Sequence, residues 1–180
     1  MRKITLLALL LSILCLGAGT TVVGAADEDL EYKVKAAFLL NFAKFTTWPE
    51  DFWPAGKAVF LISIIGNDPF GPALGGVEEK QIGGKYIRVN YAAAASSGLD
   101  QCQLLFVSKS EKERLERIIK DTGKKPIVTV SDIEGFAAAG GIFEFKSNNG
   151  RLSFIINNSR AKENGIHISS LLLKLAIEVL

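Results

Sequence analysis

The sequence predicts an α/β fold: a mainly parallel central sheet with helices on both faces and an antiparallel hairpin at one edge. Three observations predict it. The runs 59–65 and 103–107 are apolar without alternation, as strands covered on both faces are. Strand-like and helix-like patterns alternate along the chain, the order that crossover connections turn into a parallel sheet. Asn148-Asn149-Gly150 separates two strand-like runs, a strong hairpin signal.

The first 26 of the 180 residues stand apart. Arg2 and Lys3 precede an apolar run over 4–16, and small residues then lead to Gly24-Ala25-Ala26 before Asp27-Glu28-Asp29. That is the order of a secretory signal peptide, and the run is shorter than the ~20 residues of a membrane span. An uncleaved N-terminal anchor is the alternative. Leu14 stands where lipoprotein processing needs a small residue, so Cys15 belongs to the apolar region. Cleavage after Ala26 leaves residues 27–180 as one exported domain. It removes two cations, Arg2 and Lys3, and so takes the net charge from +2 to zero. A chain of roughly 150 residues buries ~70% of its surface, enough for a core without staples.

The elements follow in order. From about Leu30, the residues Val34, Phe38, Phe42 and Phe45 recur at helical spacing. Ala36, Leu39, Leu40 and Ala43 make the other side nearly as apolar, so the helix is expected to be covered on both sides. Thr46-Thr47-Trp48-Pro49 ends it, because the residue before proline avoids helical geometry. Trp48, Phe52 and Trp53 cluster within six residues, as a core corner or as a partner-binding patch. After strand 59–65, Asp68 can cap a short helix opened by Pro69, ending near Gly75-Gly76. Residues 86–91 alternate as a half-exposed strand, and 92–98 form a small-residue loop. Strand 103–107 leads to Ser110-Glu111-Lys112-Glu113, a capping box. The helix that follows buries Leu115, Ile118, Ile119 and Thr122 and stops at Gly123. Strand 127–130 leads to a second capping box, Ser131-Asp132-Ile133-Glu134, and a short alanine-rich helix. The hairpin 142–146 and 152–156 comes next. The chain closes on a helix over 171–179 with Lys174 and Glu178 as its single polar stripe. These elements suit a Rossmann-like three-layer arrangement.

Catalytic signals are missing. The nucleophile elbow, the P-loop and the paired-histidine zinc motif are absent. The glycine pairs at 75–76, 83–84 and 140–141 read as turns. A single histidine, His167, lies between two isoleucines and reads as structural. No cofactor or metal site is expected, and the near-zero charge leaves no nucleic-acid footprint. Two binding readings stay open. Trp48, Phe52 and Trp53 can anchor a partner protein. Alternatively, Asn67, Asp68, Ser131 and Asp132 lie at strand carboxyl ends, where open α/β sheets bind small ligands; all four can equally be ordinary helix caps.

Longer stretches carry a resemblance. They are 32–49, ending in Thr-Thr-Trp-Pro, then 62–71, 102–107, 150–157 and 165–176 with its Gly-Ile-His-Ile-Ser-Ser. In order and spacing the chain resembles the YfiR family of bacterial periplasmic proteins, over nearly all of residues 27–180. The resemblance implies an α/β fold, a tendency to dimerise and a regulator rather than an enzyme. Such a protein restrains a membrane-bound diguanylate cyclase through the cyclase's periplasmic part, lowering cyclic-di-GMP and biofilm formation. It further implies sequestration by an outer-membrane YfiB-like lipoprotein. One departure concerns the family's disulfide-linked redox behaviour. Cys102 matches a family cysteine, but Ser63 or a neighbour fills the expected partner position. After processing the chain has one thiol, and so no internal disulfide.

Overall fold

A computed structural model describes residues 23–53, 58–92, 102–148 and 150–180. Most of the expected signal peptide, including Cys15, lies outside the described residues, as do most of the loop 92–98 and Asn149. The first helix, α1 (Val23–Lys44), starts earlier than its periodicity suggests. After it come β1 (Thr46–Thr47), a 3-10 turn (Glu50–Phe52), β2 (Val59–Ile65), a second 3-10 turn (Gly71–Leu74), α2 (Gly75–Glu78), β3 (Gln81–Ile82) and β4 (Lys85–Ala92). The chain continues through β5 (Leu104–Val107), a 3-10 segment (Lys109–Arg114), α3 (Leu115–Thr122), β6 (Val128–Ser131), β7 (Phe143–Asn148) and β8 (Arg151–Ile156). It ends with α4 (Asn158–Glu163), β9 (His167–Ile168), α5 (Ser170–Leu173) and β10 (Glu178–Val179).

Eight strands form one sheet in the order β10-β8-β7-β6-β5-β2-β4-β3. The pairs β4–β2, β2–β5, β5–β6 and β6–β7 are parallel, while β7–β8 and β3–β4 are antiparallel. This is the predicted mainly parallel sheet with helices on both faces. β1 and β9 form a separate antiparallel pair.

Burial explains the layers. Alternate residues of each strand point to opposite faces. One face carries Phe60, Ile62, Ile64, Leu104, Phe106, Val130, Phe143 and Phe154, covered by α1 and the segment 70–77. Phe42 of α1 stacks on Phe143 with centroids 4.1 Å apart. The other face carries Ile65, Leu105 and Val107, covered by Ile118 and Ile119 of α3 and by Ile133 and Phe136. Cys102 is fully buried in this second core. Ser63 is buried too, and its hydroxyl has no hydrogen-bond partner.

Five local expectations need correction. First, α1 is covered on one side only: Leu30 and Val34 stay exposed, since the buried arc runs through Tyr32, Lys35, Ala36, Leu39 and Phe42. Second, the chain after Asp68 turns through Pro69 before its helix begins, and Gly75-Gly76 lies inside the helical segment rather than ending it. Third, Ser110 does not cap a helix; its hydroxyl accepts the Asn67 N–H at 2.9 Å, and a 3-10 segment precedes α3. Fourth, no helix follows Ser131-Asp132; turns run there, because the Glu144 carboxylate accepts the Gly135 and Ala137 N–H groups. Fifth, the C-terminal helix stops at Leu173. Ile177 N–H donates to Phe154 O and Leu180 N–H to Ile156 O, so the last residues add to β8 as an edge strand. Ile177 and Val179 are β-branched and suit a strand. The hairpin is therefore one strand inside the sheet edge.

Two substitutions test this arrangement. Phe42→Ala should cost about 3–5 kcal/mol in denaturant unfolding. Leu171→Ala, at a residue 55% exposed, should change stability by only about 0.5 kcal/mol. A large loss at Leu171 would mean that the C-terminal segment is packed as a buried helix after all.

Candidate functional site

In α1, Glu31 and Lys35 are four residues apart and so share a helix face. Lys35 Nζ lies 2.6 Å from Glu31 Oε1 and 2.6 Å from Asp132 Oδ2. The Lys35 side chain is 1% exposed, and Asp132, just beyond β6, is 4% exposed. The Tyr32 hydroxyl donates to the same Asp132 oxygen at 2.8 Å. Lys109, beyond β5, reaches it at 3.6 Å. Asp132 Oδ2 thus accepts two hydrogen bonds and faces a third cation at longer range, while Oδ1 has no hydrogen-bond partner.

The electrostatics follow from the contacts. Burial opposes charge on Glu31. The hydrogen bonds from Lys35 and Ser147 and the charges of Lys35 and Lys109 outweigh it, and its carboxyl stays below the ordinary 4.5. Burial, the bond to Asp132 and nearby carboxylates push the Tyr32 phenol well above its usual range. On β7, Lys146 Nζ sits 2.8 Å from Glu144. That bond raises the Lys146 ammonium above its ordinary value, against a smaller burial effect.

These charges line a cleft of about 250 Å³, bounded by Glu31, Lys35, Lys109, Asp132, Lys146 and Ser147. It shares Glu31, Lys109 and Ser147 with a neighbouring hollow of about 720 Å³, walled by Leu30, Val34 and Phe38 of α1 and by Arg151 and Leu152 of β8. A third, of about 730 Å³, shares Phe38, Arg151 and Leu152 and extends to Phe154, Leu175 and Ile177. The three join into one groove along the outer flank of α1. One end is charged; the rest is largely apolar.

The residues singled out from sequence are scattered. Trp48 is buried, with its Nε1–H 3.3 Å from Gln103 O. Phe52 and Trp53 are half-buried, and Trp53 packs beside Phe60 beneath the Lys85 ammonium, 4.4 Å from its ring centre. Asp68 accepts the N–H groups of Phe70 and Gly71, acting as a turn cap. Asn67 is exposed. Ser131 is buried, donating to Val107 O and accepting from Ile133 N–H. Of the four strand-end residues, only Asp132 lines the groove. The switch point between β2 and β5, the usual ligand crevice of such sheets, is filled: a Cβ on Gly66 would collide with Ser110 and Glu111. Among the described residues, no three histidines, cysteines or acidic groups converge to hold a metal. No helix there is long and apolar enough to cross a membrane.

The model of the YfiR/HmsC-like family matches residues 32–177. The chain belongs to that family. Among curated proteins, none matches. Two solved structures are similar to it at low identity, and the first of them shares its fold. A conserved domain protein from Vibrio cholerae is 10% identical with a TM-score of 0.52, covering 83% of this chain and 60% of that one. An ABC domain in complex with L-Trp from Streptococcus pneumonia is 12% identical with a TM-score of 0.48, covering 67% of this chain and 55% of that one. The chain thus spans less than two thirds of either structure. The family match contains most of the groove: Tyr32, Lys35 and Phe38 on α1, Asp132, the hairpin and Leu175 and Ile177 all fall within it.

Sequence reasoning missed Lys35, Tyr32 and Glu31. The available signal was the i, i+4 pair of Glu31 and Lys35 inside an otherwise apolar arc. Asp132→Ala should cost about 3 kcal/mol, the lower end for a broken buried pair, because it leaves Glu31 as the carboxylate partner of the buried Lys35 charge. The double variant Lys35→Met with Asp132→Leu should regain most of it, as read by chemical denaturation. Because the Glu31 carboxyl is held below 4.5, its contribution is present above that value and fades as pH falls through the folded one. Glu31→Gln should therefore flatten the acid limb of stability against pH.

Proposed function

We propose that this YfiR/HmsC-like protein is a periplasmic regulator that binds the periplasmic part of a membrane-bound diguanylate cyclase. It holds the cyclase in its less active conformation, lowering cyclic-di-GMP and biofilm formation. The carrying observation is the long groove beside α1, whose apolar walls are exposed on a family member without a recognisable catalytic motif. Exposed apolar surface of this extent marks interaction sites. A periplasmic protein cannot reach a cytoplasmic active site. It acts by binding one state of a transmembrane partner better than the other, and its effect is limited by that difference.

In this reading the partner lies in the groove, with the exposed parts of Phe52 and Trp53 as a secondary contact. An outer-membrane YfiB-like lipoprotein competes for the protein, and a homodimer is the resting form. The small-molecule reading retains one supporting feature, the unpartnered Asp132 oxygen at the charged end. It is weakened because Asp68 and Ser131 already spend their oxygens on the backbone. Deleting the gene should raise cyclic-di-GMP in the native host, and the rise should vanish when the cyclase gene is deleted too. Unchanged cyclic-di-GMP, with protein and cyclase both expressed in the parent strain, would count against the proposal.

A further inference from the structure

The groove ends at an unfinished sheet edge. β10 pairs only with Ile155 and Ile156 of β8. Its bond nearest the hairpin runs from Ile177 N–H to Phe154 O, and the next from Leu180 N–H to Ile156 O. Backbone groups along an antiparallel strand alternate between the two sides. The carbonyls of Phe154 and Ile156 point toward β10, so the N–H and C=O of Leu152 point the same way, where β10 does not extend. The hollow there is walled by Phe38, Leu152, Leu175 and Ile177. Open backbone groups beside an apolar hollow form a template for an added strand.

We infer that this slot takes an extended, apolar segment of the partner, which pairs with β8 at Leu152 and lays alternate side chains against Phe38 and Ile177. This deepens the regulator reading and rests on it for the identity of the partner. Area argues for a separate partner over a permanent second copy. Leu30, Val34, Leu175 and Ile177 are 39–63% exposed, and with Phe38 and Leu152 they offer on the order of 500 Å² of apolar surface. A standard interface buries about 800 Å² per partner, whereas permanent homodimers bury upwards of 1,000 Å² each. The groove falls well short of the second. Along the edge, the exposed Arg151 supplies a cation for an acidic residue at the segment's end.

The test has two arms, read on the exported protein. In the first, the probe is a capped seven-residue peptide alternating valine and threonine. At millimolar peptide the Leu152 amide should exchange at least tenfold more slowly. Leu152→Pro removes the outward N–H without touching the bonds to β7, and proline is tolerated on such an edge. It should weaken peptide binding at least tenfold relative to Leu152→Ala, with similar melting of the two variants. Unchanged Leu152 exchange, or equal binding by the two variants, would overturn the slot. So would loss of self-association in Leu152→Pro, which would make the occupant a second copy. In the second arm the probe is the purified periplasmic domain of the host's cyclase. Tenfold weaker binding to Leu152→Pro than to Leu152→Ala supports the inference, and equal binding overturns it while leaving the regulator standing. A cyclase domain that fails to bind the wild type, beside a positive peptide result, sinks the regulator reading and leaves the slot intact.

Discussion

The buried contact between Lys35 and Asp132 fixes how α1 sits on the sheet. A fully buried ammonium is tolerable only with close partners, and Lys35 has two carboxylates at 2.6 Å. One comes from its own helix and the other from the end of β6. That pairing sets the rotation of α1. Tyr32, Ala36, Leu39 and Phe42 then face the sheet, and Leu30, Val34 and Phe38 turn outward along the groove. A buried ion pair is weak support for stability when set against a well-packed apolar alternative. Its consequence here is positional: the helix cannot slide by one turn without burying a lone charge.

The two walls of the groove are therefore held differently. α1 is locked by the ion pair and by the Phe42–Phe143 stack. The opposite wall is the tail from Leu173 onward, held by a few edge hydrogen bonds with Leu175 and Ile177 exposed. Segments with few buried contacts open at low free-energy cost. On the proposed function, the fixed wall gives selectivity, and the lightly bonded edge is the wall that opens for exchange.

Much of the fold was legible because strong patterns agreed with tertiary demand. The unalternating runs at β2 and β5 marked central strands, and Asn148-Asn149-Gly150 marked the hairpin. Failures occurred where a local motif competed with a longer-range bond. Ser131-Asp132-Ile133-Glu134 has capping-box spacing, yet Ser131 is spent on Val107 O and Glu144 captures the turn that follows. The leucine-rich tail has helical propensity, but the open edge of β8 offers backbone bonds that residues 177–180 take instead. The site was legible only in part. Asp132 was singled out for its strand-end position, whereas its partner Lys35 lies 97 residues away in sequence, and no local pattern announces that pairing. The exposed stripe of α1 looked like a second buried face, because periodicity cannot tell core from interface.

On the proposed function, the outward stripe of α1 carries the regulatory contact. The most direct measurement is cellular cyclic-di-GMP in a strain producing Val34→Glu at wild-type level, with melting of the purified variant as control. Val34 is partly exposed and outside the ion-pair network, so the fold should survive the substitution. A normally melting variant that raises cyclic-di-GMP as far as loss of the gene does is the predicted result. A normally melting variant that represses as well as the wild type would contradict the account.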